Sequence, residues 1–239
     1  MRAILTFHSI DSIDPIISYP QDQLPRLLDG LKAAGLPILE LDKLLRPDTR
    51  RGVALTFDDG YQSVFTSALP VLRDYGAPAH LFLSTGLLGD GPSSRRREFS
   101  GLPMLDWDEV EALHAAGVRI EAHTDSHPDL RDLADAAVIA ECEAADRAIS
   151  ARLGRHPRFF AYPYGATNAR VQAIAGRRYE AALTTELRPL RRSEDPAAIP
   201  RLDSYYLQSG WIQRGLDSGP ARAYFAFRRL LRQIRHRRG

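Results

Sequence analysis

Val53-Ala54-Leu55-Thr56-Phe57-Asp58-Asp59-Gly60 is a short β-type run that passes directly into two adjacent acids and a glycine. The same form recurs along the chain. Apolar runs at 3–7, 37–41, 79–83, 118–122, 158–162, 181–184 and 199–202 alternate with helical patterns at about 22–34, 63–75, 106–116, 133–153 and 168–175. This βαβα rhythm implies an α/β fold with a mainly parallel sheet, closed as a barrel or doubly wound. No internal repeat or long linker interrupts it. A single domain is expected over roughly residues 1–216, followed by a basic C-terminal helix and tail at 217–239. The stretch 89–103, with its Gly-Asp-Gly-Pro and three consecutive arginines, reads as a long surface loop.

Composition supports a folded domain of this size. The 239 residues are 44% hydrophobic and 26% charged, near the average for a globular protein, and no apolar run approaches the ~18 residues of a membrane span. The single Cys142 cannot form an internal disulfide, which removes the disulfide-scaffold class and fits a reducing compartment. The net charge of +2 conceals a basic tail of seven arginines after Asp217; without them, 25 basic residues face 30 acidic ones. Such a body is a poor nucleic-acid binder, because that affinity rests on cations neutralising phosphates. The N-terminus lacks the apolar core of a secretory signal, so the expected location is the cytoplasm.

In a parallel sheet, function collects on the loops fed by the carboxyl ends of the strands. Four polar clusters stand there. Asp58 and Asp59 repel each other and call for a cation or a shared proton, although Asp-Asp-Gly is equally ordinary turn chemistry. In His123-Thr124-Asp125-Ser126-His127-Pro128, two imidazoles can converge on one ion. Two His and one Asp with open positions form a catalytic ligand set, against the alternative of a hydrogen-bonded loop pair. Tyr162-Pro163-Tyr164-Gly165 is either a Pro-x-Gly turn or an aromatic wall with a backbone N–H exposed to an oxyanion. His8 follows the first strand. A lone histidine is more often structural, but metal-assisted hydrolysis needs an acid for its leaving group, and no other histidine outside the pair follows a strand. His80 stands at the start of its strand run and not after it, His114 sits on a helix, His156 on a connection and His236 in the tail; all four read as surface residues.

Taken together, Thr56-Phe57-Asp58-Asp59-Gly60 and His123-Thr124-Asp125-Ser126-His127 resemble motifs of the polysaccharide deacetylases of carbohydrate esterase family four. The resemblance covers about residues 1–205. It implies a distorted (β/α) barrel of about seven parallel strands, one divalent metal ion, and removal of N-acetyl groups from an amino sugar. Carried over by motif, Asp58 matches the general base, Asp59 the metal carboxylate, and His123 and His127 the imidazole ligands. Tyr164, after Pro163, matches the residue whose backbone N–H assists at the oxyanion. Two positions depart from the pattern: Ala161 stands where the family usually carries an Arg, and the late Leu-x-His motif is absent. Ile4-Leu5-Thr6-Phe7-His8-Ser9 is, however, similar to the N-terminal histidine motif of the circularly permuted deacetylases acting on poly-N-acetylglucosamine, which makes His8 the expected acid. Arg201 is the expected replacement for the missing Arg.

The ligand set suits zinc, with cobalt or nickel as alternatives. The expected partner is an acetylated amino-sugar polymer or a lipid-linked sugar, and no nucleic acid. Rival readings are a deformylase or deacylase of a lipid-linked sugar and a sugar-binding pseudoenzyme. In the tail, Tyr224, Phe227, Leu230, Leu231 and Ile234 recur at helical steps, which predicts an apolar stripe docked on the barrel with solvated arginines opposite. That arginine face could rest on an anionic membrane, placing the protein peripherally at the inner membrane face.

Overall fold

The computed structural model of the protein describes residues 1–14, 16–89 and 102–236. Seven strands, β1 (Arg2–Phe7), β2 (Gly52–Asp59), β3 (Ala79–Leu83), β4 (Arg119–Ala122), β5 (Phe159–Ala161), β6 (Ala181–Leu187) and β7 (Ile199–Asp203), pair in sequence order and close into a barrel. Every pairing is parallel, and β7 returns to β1 through Leu5↔Leu202 and Thr6↔Asp203. Helices α1 (Gln23–Ala33), α2 (Leu41–Leu45), α3 (Leu69–Tyr75), α4 (Trp107–Ala115), α5 (Asp135–Leu153) and α6 (Ala169–Ala175) occupy the connections, and α7 (Gly210–Arg214) and α8 (Gly219–His236) follow the last strand. The loop expected at 89–103 lies mostly outside the described residues. Among the described residues no helix is long and apolar enough to cross a membrane.

Strand periodicity sorts side chains into two sets. Ala3, Leu5, Phe7, Val53, Leu55, Phe57, Leu81 and Leu83 join the large core under the helices. The alternate residues Ile4, Ala54, Phe82, Ala161, Leu183 and Ile199 form a second cluster that fills the barrel. Asp58 shares the inward parity of Ala54, and Arg201 that of Ile199. The strand pattern therefore delivers both charges to the top of the filled barrel.

Two expectations are corrected here. The run 37–41 is not a barrel strand: only Ile38 bridges to Val53, because β3 takes that edge of β2 from Leu55 onward. His80 is not a surface residue; it lies within β3, 2% exposed. Its Nε2 accepts from the Leu41 N–H at 3.0 Å and its Nδ1 faces Glu121 at 3.5 Å, so it plugs the end of the barrel opposite the polar strand ends.

The C-terminal helix inverts the expected stripe. Ala221 and Phe225 dock, whereas Phe227, Leu230, Leu231 and Ile234 are 41–58% exposed. Arg229 pairs with Glu186 of β6 at 3.0 Å, which puts 221, 225, 229 and 232 on the barrel-facing side at helical spacing. Ion pairing and a polar cavity hold that side, and the apolar face points outward.

Candidate metal centre and active site

Asp59 ends β2, and His123 follows β4. His123 Nε2 and His127 Nε2 lie 3.2 and 3.3 Å from the same oxygen, Asp59 Oδ1. Ligands of a tetrahedral ion bonded at 2.0–2.1 Å sit about 3.3 Å apart, so these spacings fit one ion with room for further ligands. Asp59 Oδ1 is buried and only these two ring nitrogens approach it among the described residues, so its charge calls for protonated rings or a bound cation beside it. The Ala161 carbonyl accepts from His123 Nδ1 at 2.7 Å, which turns the Nε2 lone pair toward Asp59. Among the described residues this is the one cluster of three potential ligands able to converge on an ion.

The backbone is shaped for this purpose. Among the described residues the non-glycine positions with positive φ are Asp59 (73°), Thr124 (65°), His127 (56°) and Tyr164 (59°), all within the site or the loop that carries it. Each such conformation costs roughly 1–3 kcal/mol and persists only where its surroundings enforce it. Here the Thr124 hydroxyl accepts from the His127 N–H at 3.0 Å. Glu141 of α5 accepts from the Asp125 and Ser126 N–H groups and from the Ser126 hydroxyl at 2.7–3.1 Å. Thr85 donates to Asp125 at 2.7 Å, so Asp125 holds the loop together and Asp59 is the carboxylate of the cluster. Behind Tyr164, Gly165 packs so closely on Thr185 that a Cβ would come within 2.2 Å of its hydroxyl.

Asp58, beside the cluster, is 2% exposed and gripped by Arg201, Nη1 to Oδ1 at 2.7 Å and Nη2 to Oδ2 at 2.6 Å. Arg201 is itself fixed by donating from Nε to the Thr184 carbonyl at 3.0 Å. Burial alone would push both carboxyls up; the Arg201 and His123 charges outweigh it at Asp58, and hydrogen bonds from His123 and His127 at Asp59. Both therefore lie below the usual carboxylate range. Burial likewise pushes the His123 imidazole down, but the Asp59 hydrogen bond and the two acidic charges raise it above its ordinary value. An ion must displace that proton, so its uptake weakens as the pH falls.

These groups line one cavity of about 280 Å³ with His8, Tyr164, Thr185, Asp203 and Arg232. Every site residue expected from the motifs is thus in or against this cavity: His8, Asp58, Asp59, His123, His127 and Tyr164 line it, Pro163 is buried behind Tyr164, and Arg201 clamps Asp58. The Tyr164 ring stands edge-on to His127 at 4.6 Å. Sequence reasoning missed Thr185, Asp203 and Arg232. The first two lie just beyond apolar strand runs, where the rule that found the others also applies. Arg232 carries no such signal.

The polysaccharide deacetylase family profile matches residues 46–179, more than half of the chain. A poly-beta-1,6-N-acetyl-D-glucosamine N-deacetylase of Staphylococcus aureus (strain MRSA252) is 25% identical over 207 residues, 80% of this chain; the chain spans 66% of that relative's length. Among solved structures, the deacetylase PplD of Streptococcus pyogenes, in complex with acetate, superposes with a TM-score of 0.73 at 23% identity, covering 84% of this chain and 91% of its own. IcaB from Ammonifex degensii gives 0.73 at 22% identity, covering 89% and 96%. These two likenesses concern the fold. With the profile match spanning both the acid pair and the histidine pair, the chain belongs to the polysaccharide deacetylase family.

Proposed function

We propose that this protein is a metal-dependent N-deacetylase of amino-sugar residues in a polysaccharide. The observation that carries the proposal is the juxtaposition of the Asp59-His123-His127 cluster with a buried, arginine-clamped Asp58 in one cavity. A ligand set alone would serve binding; an adjacent oriented carboxylate is what hydrolysis needs. Asp59, His123 and His127 would hold the ion, with zinc the best match to their chemistry. Such an ion supplies Lewis acidity, polarising the acetamido carbonyl and making water more acidic.

The chain's own groups then divide the proton transfers. Asp58, kept ionised by Arg201, takes the proton of the attacking water, and the guanidinium prevents the carboxylate from turning away. The Tyr164 N–H donates to the developing oxyanion, a contact of about 3–4 kcal/mol when well placed. His8 delivers a proton to the departing amine, without which the C–N bond does not break. The test is acetate release from soluble N-acetylglucosamine oligomers, abolished by chelation. His8→Ala is expected to lower turnover by roughly 10²–10⁴ with metal content unchanged. Wild-type turnover in that variant would assign His8 a structural role.

The outward face of α8 favours a second reading, peripheral contact with an anionic membrane. Phe227, Leu230, Leu231 and Ile234 are exposed there beside arginines, a pattern suited to the headgroup boundary and to a lipid-linked or membrane-associated substrate. Sedimentation should show binding to anionic but not neutral vesicles, reduced by Phe227→Ser with Leu230→Ser. Equal binding to the two vesicles would remove this reading.

A further inference from the structure

We propose that Arg232 is a specificity-determining residue that binds an anionic group, a carboxylate or a phosphate, carried next to the acetamido sugar of the substrate. The inference rests on the N-deacetylase reading and narrows its substrate class.

Arg232 reaches the cavity from α8, far along the chain from every other residue that lines it. Its helix is pinned there by buried Phe225 and by the Arg229 ion pair with Glu186. Arg228 lies against the Tyr206 ring at 4.9 Å and stiffens the same segment. On this platform, Arg232 Nη1 is buried and has no hydrogen-bond partner among the described residues. A buried, unsatisfied guanidinium nitrogen is costly, and more so because it is charged. Such groups recur at sites whose partner arrives from outside.

The other charges of the cavity do not supply that partner. Asp58 is taken on both oxygens by Arg201, and Asp59 faces the two histidines. Asp203 accepts from the Tyr205 N–H at 2.9 Å and makes no ion pair with Arg232 among the described residues. Arg232 is therefore a positive charge left over at the cavity wall.

The chemistry of the product decides what that charge selects. Each N-deacetylation leaves an ammonium group. Consecutive deacetylation of a uniform hexosamine polymer would bring a neighbouring ammonium toward Arg232, and like charges repel. A neutral acetamido neighbour offers only neutral acceptors. A uronate or a glycosyl phosphate instead presents two oxygens to the guanidinium fork, the geometry that arginine recognises best. The favoured substrate is thus an acetamido sugar flanked by an acidic sugar, or one joined to a phosphate as in a lipid-linked precursor.

The test uses the metal-loaded full chain with three probes: the neutral N-acetylglucosamine pentamer, a heparosan hexasaccharide in which glucuronate alternates with N-acetylglucosamine, and N-acetylglucosamine linked to farnesyl diphosphate. Binding by calorimetry and acetate release are both read. One anionic probe is expected to bind about 10- to 100-fold more tightly than the neutral pentamer, the scale of a hydrogen-bonded charge, and which probe wins separates carboxylate from phosphate. Arg232→Gln should collapse that preference, mainly through KM rather than kcat, and Arg232→Lys should restore part of it. Arginine-dependent preference without acetate release from any probe would sustain the anion site and refute the deacetylase reading. Acetate release with the neutral pentamer bound as tightly as both anionic probes, or with a preference that survives Arg232→Gln, would overturn the anion site alone.

Discussion

His123→Ala is expected to reduce acetate release about 10³-fold or more and to remove bound metal at the same time. Lewis-acid stabilisation of developing charge is worth several kcal/mol, and each 1.36 kcal/mol is a factor of ten in rate. The substitution deletes one of the three proposed ligating atoms and also frees the Ala161 carbonyl that orients it. Elemental analysis of dialysed protein should find about one ion per wild-type chain and far less in the variant. The histidine assignment fails if His123→Ala retains a full complement of metal, or if chelated wild-type protein keeps its turnover.

Arg201→Met should produce the largest loss of stability among single substitutions in the barrel. It leaves Asp58 as an unpaired carboxylate, 2% exposed, and removing one partner of a buried ion pair costs about 3–5 kcal/mol. Because Arg201 holds Asp58 below the ordinary carboxylate range, the pair contributes fully above pH ~4 and its contribution is lost as the pH falls through the lowered value. The variant's deficit should accordingly shrink in acid. Asp58→Asn with Arg201→Met should recover much of the stability at neutral pH without recovering activity. Urea titrations of the two single variants and the double variant measure this coupling. Additive losses would mean that the contact is energetically unimportant.

That buried pair also helps explain what could be read from sequence. Engineered replacement of a buried ion pair by apolar packing often costs little, so the pair is better read as orienting Asp58 than as a source of net stability. Asp58 and Asp59 were legible because an apolar strand runs straight into them, and the histidine pair because Pro128 and a polar insert stop its strand. Arg201 was reachable only through Ala161, the gap in the family pattern, since 143 residues separate it from the carboxylate it holds. The run 37–41 misled because apolar composition does not reveal that β3 already occupies the neighbouring edge. On α8, hydrophobic periodicity identified the helix and then selected the wrong face. Arg229 pairs with Glu186 and Arg232 faces the cavity, and neither feature is near the helix in sequence.

The barrel closes where its first strand meets its last, at Leu5↔Leu202, and Arg201 sits one residue from that seam. Biosynthesis runs in the opposite sense to the chemistry. The proposed metal ligands, at 59, 123 and 127, leave the ribosome first, whereas Arg201, which grips Asp58, comes more than seventy residues later. Asp58 therefore stays unclamped until β7 has been made, and on the deacetylase reading hydrolytic competence would be acquired only when the seam forms. On that reading, joining the two ends of the barrel is the folding step that completes the proposed site.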